Sequence, residues 1–163
     1  MNRRTMMIST ALVTLTALSD RAFADSKPTA TLYRNPNCDC CLEYAKYLRS
    51  NGFDVTVDAK QDLALIRKQM HISEKYEGCH VMVIGHYAVE GHVPVHTLNK
   101  LLTEKPNIIG ISLPGMPTGT PGMMGPKVGP FTIYEIASGS VPEKVFAVEQ
   151  GPGGMMPMRE FNL

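Results

Sequence analysis

The chain has 163 residues, 44% of them hydrophobic and 19% charged, with a formal net charge of +1. That length suits one domain of ordinary size, able to build a core without disulfide staples, and the near-neutral charge offers nothing to attract nucleic acid. The four cysteines are thus free for another task, and three of them fall within four positions, Cys38-Asp39-Cys40-Cys41.

Residues 1–24 have the form of a cleavable secretory signal. Arg3 and Arg4 are followed by an apolar run from Met6 to Leu18, and Ala22-Phe23-Ala24 precedes Asp25. Hydroxyl residues interrupt the apolar run, which is too short to span a bilayer comfortably, so a retained membrane anchor is not expected. Arg3-Arg4 leaves both the ordinary and the twin-arginine export routes open. Cleavage after Ala24 would remove Arg3, Arg4, Arg21 and Asp20, taking the formal net charge from +1 to −1. Residues 25–163 are then a single exported domain, with 151–163 a methionine-rich tail.

The first strand is expected over Ala30–Arg34. Asn35-Pro36-Asn37 turns the chain into a helix whose apolar residues recur from Leu42 to Leu48 and which Asn51-Gly52 stops. Three cysteines therefore sit at the start of a helix, where amide protons and the helix dipole favour thiolate over thiol. Cys38 and Cys41 point roughly the same way, and Cys40 lies about 100° around the axis from Cys41. Phe53–Val57 alternates as a second strand. Asp62 caps a helix running to Met70, with Leu63, Ile66 and Met70 on one side. Val81–Gly85 and Ala88–Gly91 form a hairpin. Pro94 opens a helix carrying Val95, Leu98, Leu101 and Leu102, which Pro106 ends. Ile108–Ser112 is a further strand, and Phe131–Ile136 pairs with Val145–Glu149 across residues 137–144.

The order β-α-β-α-β-β-α resembles the core of thioredoxin and glutaredoxin, here extended by C-terminal strands, with the dithiol turn where that fold carries its active site. The resemblance implies that Cys79-His80 stands where a glutaredoxin has Val and cis-Pro, on a loop facing the dithiol turn. It also implies that Gly91-His92 borders the same site. Cys79 would then lie beside Cys38, Cys40 and Cys41. Loss of the proline removes a groove that redox enzymes use to hold peptides, which favours metal as the guest.

Six of the eight methionines after residue 24 lie in two glycine- and proline-rich stretches, Leu113–Pro126 and Gly151–Met158. Core methionines belong on helices and strands, and exposed thioethers are oxidation hazards, whereas soft sulfur selects Cu(I). Two plain disulfides would use the four cysteines differently, but neighbouring Cys40 and Cys41 suit that poorly. Four converging sulfurs can hold zinc, an iron–sulfur cluster or copper. Three cysteines at one place and a fourth elsewhere suit bridging thiolates more than a zinc knuckle pair, and export disfavours an iron–sulfur cluster, so copper fits best. His80 and His92 are the candidate imidazole ligands and Met116 and Met123 the candidate thioethers. His71, His86 and His96 have no such placement.

The chain also resembles the periplasmic CopG-type copper-resistance proteins, a family once catalogued as a domain of unknown function. The matching residues are Tyr33-Arg34-Asn35-Pro36-Asn37-Cys38-Asp39-Cys40-Cys41, Gly78-Cys79-His80, Glu90-Gly91-His92-Val93-Pro94 and Pro114–Met123. The resemblance implies a thioredoxin-like fold in the periplasm, binding a copper-thiolate cluster through Cys38, Cys40, Cys41 and Cys79 in copper tolerance. It leaves Cu(I)/Cu(II) redox activity open. Two other functions remain beside it. One is a thiol-disulfide oxidoreductase with Cys38 attacking and Cys41 resolving. The other is a metallochaperone that hands copper to other periplasmic copper-handling proteins without catalysis.

Overall fold

The computed structural model describes residues 27–137, 142 and 144–150. The expected leader and the methionine-rich tail from residue 151 lie outside them. Eleven short elements follow in chain order: β1 (Thr29–Arg34), α1 (Asp39–Ser50), β2 (Asp54–Asp58), α2 (Leu63–Gln69), a 3₁₀ turn (Glu74–Tyr76), β3 (His80–Ile84), β4 (Tyr87–Glu90), α3 (Val95–Glu104), β5 (Gly110–Ser112), β6 (Phe131–Ile136) and β7 (Val145–Glu149). The strands form one mixed sheet in the order β2-β1-β3-β4-β5-β6-β7. Strand β1 pairs parallel with β2 and antiparallel with β3, β4 pairs antiparallel with β3 and parallel with β5, and the last two junctions are antiparallel. No helix among the described residues is long and apolar enough to cross a membrane.

The alternation of side chains along a strand decides what each face of the sheet receives. Met82, Ile84, Tyr87 and Val89 join Tyr44, Ala45 and Leu48 of α1 and Leu98 and Leu101 of α3 in the larger core. Val81 and Ala88 face the opposite way and pack with Leu63, Ile72, Tyr76 and Ile136. By the same period, His80 shares the α1 side with Met82. Glu90 shares the other side with Ala88, towards α2.

Asp62 caps α2 as expected, its side chain accepting from the Ala64 amide at 2.9 Å. Most element ends fall within a residue or two of the expectation, and three of the differences have a visible cause. Pro94 is the residue before α3 rather than its first turn, because its extended backbone, φ −62° and ψ 147°, leaves Val95 to begin the helix. The helix ends at Glu104, where Lys105 turns left-handed at φ 48°, before Pro106 is reached. The strand expected from Ile108 begins only at Gly110, which pairs with Ala88 of β4 on one side and with Ile136, the last residue of β6, on the other.

One buried ion pair fixes how the β3 entry meets the rest. Glu90 is fully buried, and Arg67 of α2 donates to its two oxygens at 2.8 and 3.2 Å. The Gly78 amide donates to the same carboxylate at 2.8 Å, and Arg67 donates to the Gly78 carbonyl at 2.8 Å. A side chain at Gly78 would place its Cβ 2.7 Å from the Gly91 nitrogen, so the two glycines lie backbone against backbone. Burial pushes the Glu90 carboxyl above its ordinary range, against the opposing pull of Arg67 and the Gly78 amide.

Removing the guanidinium leaves a buried carboxylate without its counter-charge, which costs about 3–5 kcal/mol. Arg67→Met is expected to lower the unfolding free energy by about that amount, and Glu90→Gln by less, since the amide still accepts from Gly78. Urea denaturation of the two variants checks the order; equal losses would show that the charge pair is not what holds this corner.

Candidate metal centre

Cys38 is the residue preceding α1, and Cys40 and Cys41 occupy its first turn. The backbone turn that delivers them is closed by the Cys38 amide donating to the Asn35 carbonyl at 3.1 Å. Arg34, at the end of β1, donates to the carbonyls of Asn35, Pro36 and Cys38 at 2.9, 2.8 and 3.2 Å and so braces the same turn. Cys41 is fully buried beneath the turn, whereas Cys38 and Cys40 are half-buried. Cys38 and Cys41 are joined as a disulfide, and Cys40 and Cys79 are free.

Cys79, held one residue beyond the Gly78 clamp, brings the fourth sulfur. Its Sγ lies 3.6 Å from that of Cys41 and 4.0 Å from that of Cys40, and Cys40 lies 3.5 Å from Cys38. On its other side are two imidazoles, His80 Nδ1 at 3.3 Å and His92 Nε2 at 3.2 Å. Two overlapping donor groups result, Cys38/Cys40/Cys41/Cys79 and Cys41/Cys79/His80/His92, each with its ligand atoms within 4.8 Å of one another.

The histidines are oriented from outside. The Nδ1 of His92 lies 2.6 Å from the Pro121 carbonyl, which can only accept, so Nδ1 carries the proton and Nε2 turns its lone pair towards Cys79. Pro121 belongs to the methionine loop, which Gly122 seats on α1. With φ at +83° and no room for a Cβ, which would stand 2.6 Å from the Tyr44 nitrogen, this position requires glycine. The ring of Tyr44 stands against both imidazoles, at 5.0 Å from His80 and 4.9 Å from His92, and its hydroxyl donates to the Val93 carbonyl at 2.8 Å. His80 Nε2 is buried with no hydrogen bond of good geometry among the described residues.

Burial governs the charge of the site. It lowers the His80 pKa to about 3, with His92 and Arg67 adding to it and outweighing the Gly91 backbone. Burial lowers the His92 value too, against the opposing bond to Pro121. The Cys79 thiol is pushed up to about 12, first by burial and then by Cys40. Before metal arrives, the site is therefore a neutral pocket of imidazoles and thiol. A soft cation that displaces the thiol proton gains thiolate and two nitrogen lone pairs without charged histidine to repel it.

The structure thus brings Cys38, Cys40, Cys41, Cys79, His80 and His92 together. Met123 lines a groove with Cys40, and Met116, at a left-handed turn of φ 47°, does not line it. His71 and His86 are exposed, and His96 pairs with Glu149 at 3.2 Å, away from the cluster. Sequence reasoning missed Arg67, Tyr44, the Pro121 carbonyl and the supporting role of Glu90. A carboxylate closing an otherwise apolar strand was a usable signal for Glu90; nothing local pointed to Arg67, whose partner is distant in sequence.

A family model described as a protein of unknown function, DUF411, matches residues 76–123, the stretch holding Cys79, His80, His92 and Met123. No curated protein sequence matches the chain. Two solved structures of copper resistance protein CopG do. Form 2 is 32% identical with a TM-score of 0.68, the match covering 75% of this chain and 98% of the relative. Form 1 is 34% identical with a TM-score of 0.68, covering 77% of this chain and 100% of the relative. With identity at that level over essentially the whole of each relative, this chain belongs to the CopG family of copper resistance proteins.

Proposed function

We propose that the protein is a periplasmic copper-binding protein, holding Cu(I) as a thiolate cluster on Cys38, Cys40, Cys41 and Cys79 in copper resistance and homeostasis. The observation that carries this reading is the arrival of Cys79, from far along the chain, beside a trio of cysteines on one helical turn, with all four ligand atoms within 4.8 Å of one another. Thiolates are the donors Cu(I) prefers and can bridge several ions. The donor set fits: His80 Nδ1 and His92 Nε2 lie 3.3 and 3.2 Å from the Cys79 sulfur, and both imidazoles are kept neutral as ligation requires. Nitrogen beside sulfur also accepts Cu(II), so both oxidation states find donors, which supports Cu(I)/Cu(II) redox activity at the site. Periplasmic placement rests on the leader-like residues 1–24 and on the copper resistance for which the relatives are named. A thioredoxin-like core is supported by the order β2-β1-β3-β4 with the dithiol turn directly after β1.

The disulfide favours a second reading, thiol-disulfide exchange at Cys38 and Cys41. The copper reading needs that bond opened by two electrons and two protons, which turns two ligands back into thiols.

Thiol titration of the oxidised chain is expected to count the two free cysteines, rising to four after reduction, with Cu(I) uptake rising alongside. In the reduced protein, Cys79→Ser should lose most of the bound copper although it leaves Cys38 and Cys41 intact; an unchanged copper load measured by elemental analysis would overturn the cluster. Exchange chemistry predicts the reverse pattern, with turnover of a disulfide substrate abolished in Cys38→Ser and kept in Cys79→Ser.

The buried histidines set a pH dependence in the metal-free protein. Between the folded value of about 3 for His80 and the ordinary 6.5, the unfolded chain binds a proton that the folded chain refuses. This contribution to stability is complete above pH 6.5 and is lost as the pH falls. Glu90, raised by burial, works in the opposite direction, so the comparison of variants isolates the imidazole. The melting temperature of the apoprotein should drop between pH 7 and 5, and His80→Gln should flatten that slope; a parallel slope in the variant would assign the loss to other groups.

A further inference from the structure

Tyr44 and Tyr47 stand three residues apart on α1, a spacing that places side chains on one helix face. Their rings are stacked, 6.2 Å between centroids and 22° from parallel. The inner ring reaches His80 at 5.0 Å and His92 at 4.9 Å, and a nitrogen of each imidazole lies 3.3 and 3.2 Å from the Cys79 sulfur. Tyr44 is fully buried, whereas Tyr47 is half-buried. A continuous row of rings therefore leads from the sulfur and nitrogen donors through α1 towards solvent.

The two hydroxyls differ in what they can do with a proton. That of Tyr44 donates to the Val93 carbonyl at 2.8 Å, an acceptor that cannot carry the proton away. That of Tyr47 accepts from the Val95 amide at 3.0 Å and donates to no group among the described residues, which leaves its own proton to water. A phenol that loses an electron becomes strongly acidic, so the electron vacancy comes to rest where the proton can depart. Tyr44 can pass an electron inward but cannot keep the vacancy; Tyr47 can. The need for such an outlet lies in the site itself. Cu(I) gives hydrogen peroxide one of the two electrons its reduction to water requires, and the second is torn from whatever is adjacent. Cysteine sulfur driven past the sulfenic stage is lost as a ligand.

We infer that Tyr44 and Tyr47 are an electron relay that protects the ligands: when hydrogen peroxide meets Cu(I) at this centre, Tyr47 supplies the second electron by way of Tyr44. The inference rests on the copper reading above, with copper as the cargo. The oxygen–oxygen bond of peroxide breaks and two waters form. Cu(I) is oxidised to Cu(II) and gives one electron; the phenol of Tyr47 is oxidised to a neutral tyrosyl radical and gives the other. Peroxide brings two of the four hydrogens in the waters, the Tyr47 hydroxyl releases the third as a proton and solvent supplies the fourth. The oxidising equivalent ends on a half-buried ring of α1, and Cys79, His80 and His92 stay intact.

The test loads the full-length chain anaerobically with Cu(I), adds one equivalent of hydrogen peroxide and freezes the mixture for electron paramagnetic resonance. Cu(II) and a tyrosyl radical should appear in equal amounts. A spin-trap adduct mapped by peptide mass spectrometry in the unaltered chain should sit on Tyr47. Equal labelling of Tyr33 and Tyr134, half-buried on the opposite side of the sheet, would show a freely diffusing oxidant and overturn the relay. Counted per bound copper, Tyr47→Phe should lose most of the radical and raise oxidation of Cys79, His80 and His92 severalfold. Tyr44→Phe should lose the Tyr47 adduct although Tyr47 is still present; an adduct of the same yield would overturn the inference. Cu(II) formed without any tyrosyl radical removes the relay and leaves the copper reading standing, whereas a chain that takes up no Cu(I) removes both.

Discussion

A carboxylate buried on the far side of the sheet decides where the fourth sulfur goes. Glu90 closes β4 facing α2, where Arg67 meets it, and the two together grip both the amide and the carbonyl of Gly78. Because Gly78 lies flat against Gly91, the residue that follows it has little freedom. Cys79 is therefore delivered to the α1 turn by backbone contacts on one side of the sheet, while its sulfur works on the other. The arrangement separates charge from chemistry: the ion pair that costs desolvation sits behind the strands, and the site itself holds only neutral donors.

That neutrality follows from packing as much as from residue type. Tyr44 presents its ring to both imidazoles and uses its hydroxyl to hold the Val93 carbonyl, while the Tyr47 hydroxyl accepts from the Val95 amide at 3.0 Å. Two tyrosines on one face of α1 thus fix the segment that carries His92, and the methionine loop fixes the tautomer of its ring through Pro121. A buried imidazole cannot easily take a proton, and a lone pair that cannot be protonated is available to a metal at any physiological pH. The same burial that deters the proton from His80 deters its loss from Cys79, so a cation soft enough to outcompete that proton is the guest this pocket selects.

The sequence carried the element order well, because apolar periodicity and turn residues are local signals. Alternation in Phe53–Val57 and the cap at Asp62 each rest on side chains within a few positions. The approach of Cys79 to the cysteine turn was legible only through the resemblance to glutaredoxin, which supplied the topology that composition lacks. The groups that position the ligands were not legible. Arg67 looks like any solvated residue of a short helix, and Pro121 acts through its carbonyl, which every residue possesses. Tyr44 occupies an apolar stripe where a core role is the ordinary expectation, and it fills that role while also touching both histidines. Such supporting contacts depend on which faces of the sheet the helices cover, and no local pattern encodes that. The ends of α3 and β5 shifted for separate reasons: Lys105 turns left-handed before Pro106 is reached, and β5 starts level with Ile136, where β6 ends.

One covalent bond sets how many sulfurs the site can offer. With Cys38 joined to Cys41, Cys79 keeps Cys40 at 4.0 Å on one side and imidazole nitrogens at 3.3 and 3.2 Å on the other, a mixed set of borderline hardness. With the bond open, four thiols crowd the same space and the balance moves to soft sulfur. Mixed nitrogen and sulfur donors accommodate Cu(II) and thiolates favour Cu(I), so the state of the dithiol decides which oxidation state of copper the donor set suits. A helix start is well suited to carry that bond, because one residue lies before the first turn and the other beneath it, while the clamp at Gly78 and the histidine supports are built from residues outside the pair.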